Sequence, residues 1–161
     1  MYVIDDLDQV IPCVDAPVPG VPTQVVVVGG SGAVVLSYEV GPDGASRALV
    51  AFESGSTHYL GSPNEEVLHG HPLYERGLKA YGVFEVINSS WIRAQERMNS
   101  VHARHDPSRF KDLRHFIITF QDTTFECIAR RVKVLDIVAN VPGEAEKILD
   151  TIVRQRLAFG Y

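Results

Sequence analysis

Arg93 and Arg97 stand four residues apart in a stretch of helical character, so both guanidinium groups project from one face, where paired cations can hold an anion. Arg104 follows, flanked by His102 and His105. With Trp91 these residues make a candidate binding set for a small anionic ligand or a protein partner. His102 and His105, three apart, could instead share a helical face as metal ligands. Arg104, Arg109 and Lys111 would repel the cation, however, and Pro107 ends any helix there. A Cys-His nucleophilic pair is the other chemistry these residue types offer. Cys127 and His115 fall on opposite faces of a strand pair, and a thiol on the apolar face stays protonated, so no such pair is expected. No Gly-x-Ser-x-Gly elbow marks a serine nucleophile, which leaves no catalytic residue to name.

His69-Gly70-His71, with Glu75 four residues on and Gly82 seven beyond that, resembles the first metal motif of the cupin family. That resemblance implies a small β-barrel in which His69, His71 and Glu75 hold a divalent Fe, Mn or Zn ion, with His58 or His102 as a fourth ligand and Gly82 as a turn residue. Pro63 stands where the motif has its leading glycine, and Pro72 interrupts the strand that would carry the ligands. No second motif follows. The expectation is therefore a turn-rich loop without a resident cofactor, with the metalloenzyme as the alternative. Val25 to Val28 followed by Gly29-Gly30-Ser31-Gly32 resembles the opening of a dinucleotide-binding fold, but strand-forming residues follow the glycines where a helix is needed.

Positioning these groups requires a frame. Four of the nine prolines lie in residues 12–22, which makes 1–22 an extended arm and 23–161 a single domain. Val25 to Val28 and Ala33 to Val40 read as a hairpin, and Arg47 to Ser54 adds a third strand. Residues 55–80 form a long connection of the length that usually carries function. Tyr81 to Ile87 is a strand. Asn88 or Ser89 caps a helix over 90–99 that places Trp91, Ala94, Gln95 and Met98 on one face. A turn at Asp122-Thr123 sets Phe120 opposite Phe125, Ile118 opposite Cys127 and Phe116 opposite Ala129, leaving His115, Thr119, Glu126 and Arg130 on the other face. The alternation slips near Arg130 and Arg131, where a bulge would restore it. Ala145, Ile148, Leu149, Ile152, Val153 and Leu157 make a 3.6-period stripe that predicts a helix over 143–157. The sum is an α+β fold: a mostly antiparallel sheet of five to six strands, a short middle helix and a C-terminal amphipathic helix packed on the sheet.

The 161-residue chain has 15 Lys and Arg against 20 Asp and Glu, a net charge of -5, and is 45% hydrophobic, which suits a globular domain. Residues 1–90 carry -8, residues 91–135 carry +4 and the remainder -1. The two signs can neutralise each other within one domain, or leave a basic face around Arg93 and Arg97. Net acidity and few aromatics near the basic segment disfavour a nucleic-acid surface. No apolar run approaches the roughly 18 residues of a membrane span. The acidic start, Asp5, Asp6 and Asp8, is unlike a secretion signal, so a cytoplasmic location with reduced Cys13 and Cys127 is expected.

Residues 69–73, 84–92 and 114–127 together resemble a group of small bacterial soluble proteins of uncharacterised function. The resemblance spans roughly residues 50 to 135 and implies a bacterial cytosolic domain and no particular activity. The functional expectation is a non-enzymatic binding or accessory protein, monomeric or homo-oligomeric, engaging an anionic ligand or a protein partner through the 55–80 loop and the Arg93/Arg97 face. An immunity-like protein that neutralises a toxin through its acidic surface is a further alternative.

Overall fold

Strand residues that alternate in character must put one set of side chains on each face of a sheet, and the two longest hairpins do so in register. A computed structural model describes residues 3–150 apart from 22, 31, 56, 142, 144, 145, 148 and 149. The strands are β1 (Gln9–Pro12), β2 (Val26–Gly30), β3 (Ala33–Val40), β4 (Ser46–Glu53), β5 (Thr57–Gly61), β6 (Gly82–Ile87), β7 (Arg114–Thr119), β8 (Thr124–Ala129) and β9 (Arg131–Ala139), with helices α1 (Ser90–Asn99) and α2 (Ser108–Lys111). They form two antiparallel sheets, one of five strands in the order β1-β6-β7-β8-β5 and one of four in the order β2-β3-β4-β9. The mostly antiparallel α+β class holds, while the expected single sheet of five to six strands becomes nine strands in two sheets. The predicted helix over 143–157 lies largely outside the described residues.

The two sheets face each other across one apolar layer. Val34, Leu36 and Tyr38 of β3 and Ala48, Val50 and Phe52 of β4 meet Phe116, Ile118, Phe125 and Cys127 of β7 and β8. Phe52 contacts Phe116 and Phe125 with ring centroids 5.6 and 5.1 Å apart, and Tyr38 meets Phe120 edge-on at 5.4 Å. The β7–β8 turn centres on Gln121 and Asp122, pairing Phe116 with Cys127 and Ile118 with Phe125. That shifts the expected pairing by two residues, an even number, so each side chain keeps the face the sequence predicts. The slip at Arg130 is not a bulge within one sheet. It marks the crossing from β8 in the larger sheet to β9 in the smaller, with Arg130 N–H donating to the Glu53 carbonyl. The register break itself lies between Leu49 and Val50, where β4 pairs with β9.

The acidic N-terminal segment is built into the sandwich. β1 pairs with β6, Tyr38 Oη donates to the Pro17 carbonyl at 2.7 Å, and Gly20 N–H donates to the Glu39 carbonyl at 2.9 Å. Residues 55–80 resolve into β5 and two short 3-10 turns, Glu65–Gly70 and Tyr74–Arg76. Leu68, Leu73 and Leu78 pin this segment against Phe84, Val86 and Ile117 on the outer face of the five-stranded sheet. No described helix is long and apolar enough to cross a membrane.

Burial pushes the Cys127 thiol up to about 12 and raises that of Cys13 as well. A thiol-specific disulfide reagent at pH 8 should therefore leave the folded protein essentially unmodified and titrate both thiols once denaturant is added. Fast stoichiometric reaction of Cys127 in the folded state would contradict this packing.

Candidate functional site

The outer face of the five-stranded sheet carries polar groups in an otherwise apolar setting. Pairing Ile117 with Glu126 and His115 with Ile128 makes His115 and Glu126 diagonal neighbours on one face, within reach of each other across the strands. His115 Nε2 lies 3.0 Å from Glu126 Oε2, and His71 Nε2, carried over the sheet by the leucine-pinned segment, lies 3.3 Å from Glu126 Oε1. Ser89, the N-cap of α1, places its Oγ 3.0 Å from His115 Nδ1 and accepts from the Ile92 amide at 3.3 Å. All four are buried, with His115 at 0% and Glu126 at 3% exposure.

One proton arrangement satisfies these contacts. The Leu73 amide donates to His71 Nδ1 at 3.1 Å, so the neutral His71 ring carries its proton on Nε2 and donates it to Glu126. Assigned in the same way, His115 donates from Nε2 to Glu126 and accepts the Ser89 hydroxyl proton at Nδ1. The carboxylate thus receives an imidazole N–H on each oxygen, which compensates its removal from water. Trp91 packs edge-on against the His115 ring at 5.1 Å.

Glu126 also borders a cavity of about 440 Å³. Trp91, Ala94, Gln95 and Met98 of α1 wall one side, and His58 and Tyr59 of β5 the other. Met98 is 60% exposed and marks the open end. The α1 face that lines this cavity is the one its sequence spacing predicts.

The remaining expected site residues are dispersed. Arg93 donates to the Asn88 carbonyl and pairs with Asp5. The Asp5 carboxyl is held below its ordinary range by the Leu7 amide first and by Arg93 second. Arg97 and Arg104 are exposed. His102 Nδ1 accepts from the Arg104 amide, and His105 lies 3.0 Å from Asn99 Oδ1 and 3.3 Å from Glu96 Oε1, contacts that fasten the turn after α1. Of that set, Trp91 alone lines the cavity. Of the cupin-like set, His71 is buried in the array, His58 lines the cavity, and His69 and Glu75 are exposed elsewhere. Among the described residues no three His, Cys, Asp or Glu side chains are arranged to hold a metal ion. The His71 Nδ1 contact adds a chemical reason: a metal-bound Nε2 leaves Nδ1 protonated, facing a donor instead of an acceptor.

Ser89, His115 and Glu126 belong to none of the expected site sets. The signal for two of them was present, since an imidazole and a carboxylate on one face of His-Phe-Ile-Ile-Thr and Thr-Phe-Glu-Cys-Ile strands need partners if that face is covered. No protein-family model matches the chain, and no curated protein or solved structure matches it either.

Glu126→Ala removes the acceptor of two buried imidazole N–H groups, each worth about 1–3 kcal/mol when left unpaired. The unfolding free energy should fall by about 2–5 kcal/mol, measured by urea unfolding followed through the emission of the single tryptophan. A loss below about 1 kcal/mol would mean that the array does not hold these elements together.

Proposed function

We propose that this chain is a small-ligand binding protein whose cavity between α1 and β5 takes an amphipathic organic cation, such as an aryl-alkyl amine. The observation that carries this reading is the Glu126 carboxylate bordering a cavity otherwise walled largely by aromatic and apolar side chains. A volume near 440 Å³ suits a ligand of ten or so heavy atoms, within the range of about 300–1,000 Å³ common for such sites. The Trp91 ring offers a π-face to a cation, and Glu126 offers the opposite charge in a poorly solvated place, where Coulomb attraction is strongest. An anionic ligand at Arg93 and Arg97 is supported less well, because Asp5 already pairs with Arg93 and neither arginine borders the cavity.

Trp91 makes the test direct, since it is the single tryptophan and lines the cavity. Titration with 2-phenylethylamine should change its emission saturably, while the matched anion phenylacetate should not. Glu126→Gln, which keeps the shape and loses the charge, should weaken the amine by about tenfold or more, corresponding to about 1.4 kcal/mol. Saturable binding of phenylacetate alone, no response to either probe, or an amine response unchanged in Glu126→Gln would overturn the reading.

A further inference from the structure

On the side of His115 away from Glu126, the array ends at Ser89, which borders a separate open cleft of about 390 Å³. We infer that Ser89, His115 and Glu126 form a nucleophile, base and carboxylate set for acyl transfer to and from Ser89, reached through this cleft. The inference is independent of which ligand fills the cavity.

Four observations carry it. The order hydroxyl, imidazole, carboxylate is complete, with 3.0 Å contacts on both sides of the ring. The proton arrangement already leaves His115 Nδ1 as the acceptor of the Ser89 proton, as a general base requires. The two ring nitrogens are used in the reverse of the commoner order, and the roles are unaffected. Ser89 sits at a sharp strand-to-helix junction between β6 and α1, preceded by Asn88 with φ +55°, a left-handed conformation uncommon for a residue with a side chain. Such a junction presents a hydroxyl at the positive end of a helix dipole. It does so here with Asn88 and Ser90, not glycines, on either side.

The fourth observation concerns the oxyanion. The Ser90 amide, next to the nucleophile, already holds a carboxylate oxygen, Asp8 Oδ1 at 2.7 Å. Ser90 Oγ is buried and has no hydrogen-bond partner among the described residues. Asp8 is fully buried and also accepts the Asp5 amide, so the arm must shift before a substrate carbonyl oxygen can meet the Ser90 amide and hydroxyl as donors. Ile87, Ile92 and Leu113 make part of the cleft apolar, and Arg93, Lys111 and Arg114 border it. The substrate class is a carboxylic ester with a short apolar acyl chain.

In the reaction, His115 Nδ1 takes the Ser89 proton as Oγ bonds to the ester carbonyl carbon. The bond from that carbon to the alcohol oxygen then breaks, and His115 returns the proton to the departing alcohol. Water attacks the acyl-serine, giving up a proton to His115, and the acid leaves as Ser89 regains its hydrogen. Glu126 stabilises the transient imidazolium and, like His71 behind it, acts as a positioning residue.

The test uses a short-chain alkyl fluorophosphonate, with which Ser89 Oγ forms a phosphorus–oxygen bond as fluoride leaves and His115 takes the proton. Folded wild-type protein should give one adduct, mapped by mass spectrometry to the peptide containing Ser89. Ser89→Gly, which keeps a tolerated N-cap residue, should give none while its melting temperature and Trp91 emission show it folded. In Glu126→Gln the labelling rate should fall at least tenfold, and the midpoint of its pH profile should move to lower pH as the imidazolium loses its counter-charge. Wild-type protein alone decides the main point, since no adduct, or an adduct elsewhere, overturns the inference. A labelling rate and pH profile unchanged in Glu126→Gln would remove the carboxylate from it.

Discussion

A carboxylate buried at 3% exposure on the outer face of the five-stranded sheet sets the terms for everything packed above it. Removing a carboxylate from water costs several kcal/mol unless hydrogen bonds replace its hydration, and here the replacements come from two imidazoles on different elements. Each imidazole must then have its far nitrogen satisfied. His71 takes the Leu73 amide within its own turn, and His115 takes the Ser89 hydroxyl at the start of α1. One charge thereby ties the β7–β8 hairpin, the 64–80 segment and α1 together. The leucines of that segment supply the burial, while the array supplies the directionality that fixes where the segment sits.

A second buried charge on the outer face of the other sheet is handled in a similar way. Arg47 is 6% exposed and spreads its donors over Glu39 Oε1, Ser37 Oγ, the Gln24 carbonyl and Asn140 Oδ1. Among the described residues the centre of the layer between the two sheets is apolar, with Phe52 between Phe116 and Phe125. Shape complementarity of apolar groups thus sets how the sheets meet. Polar satisfaction sets what lies on their outsides. The arm acids extend this pattern to the surface, pairing Asp5 with Arg93, Asp6 with Arg76 and Asp15 with Arg114.

Strand alternation made the inner layer legible in the sequence. Phe116, Ile118, Phe125 and Cys127 face inward as predicted, although the turn falls one residue earlier, because a two-residue change of register preserves the face. β1 and β5 were not legible, being four- and five-residue edge strands with Pro12 in one and Gly61 in the other and no apolar run to announce them. The slip at Arg130 was visible, but its meaning, a change of sheet, depends on partners distant in the chain. The basic segment likewise has a partner distant in the chain. Arg93 and Arg97 at helical spacing suggest a free cationic face, yet the acid that pairs with Arg93 lies 88 residues earlier, in a stretch whose acids the sequence showed only as a separate block. His115 and Glu126 could be placed on one face from alternation alone, whereas His71, 55 residues before Glu126, could join them only through the packing of Leu68, Leu73 and Leu78.

The array has a direction, and that matters more for function than its burial. Glu126 is an acceptor for both imidazoles, so His71 and His115 each carry their proton on Nε2, and the remaining polarity at His115 runs outward to Ser89. The Ser89 hydroxyl serves twice, accepting from the Ile92 amide as the cap of α1 and satisfying the far nitrogen of His115. Linking that cap to a fully buried imidazole couples the charge at Glu126, on the border of the cavity, to a hydroxyl on the border of the cleft. His115 is thus the ring that touches both the residue bordering the cavity and the residue bordering the cleft.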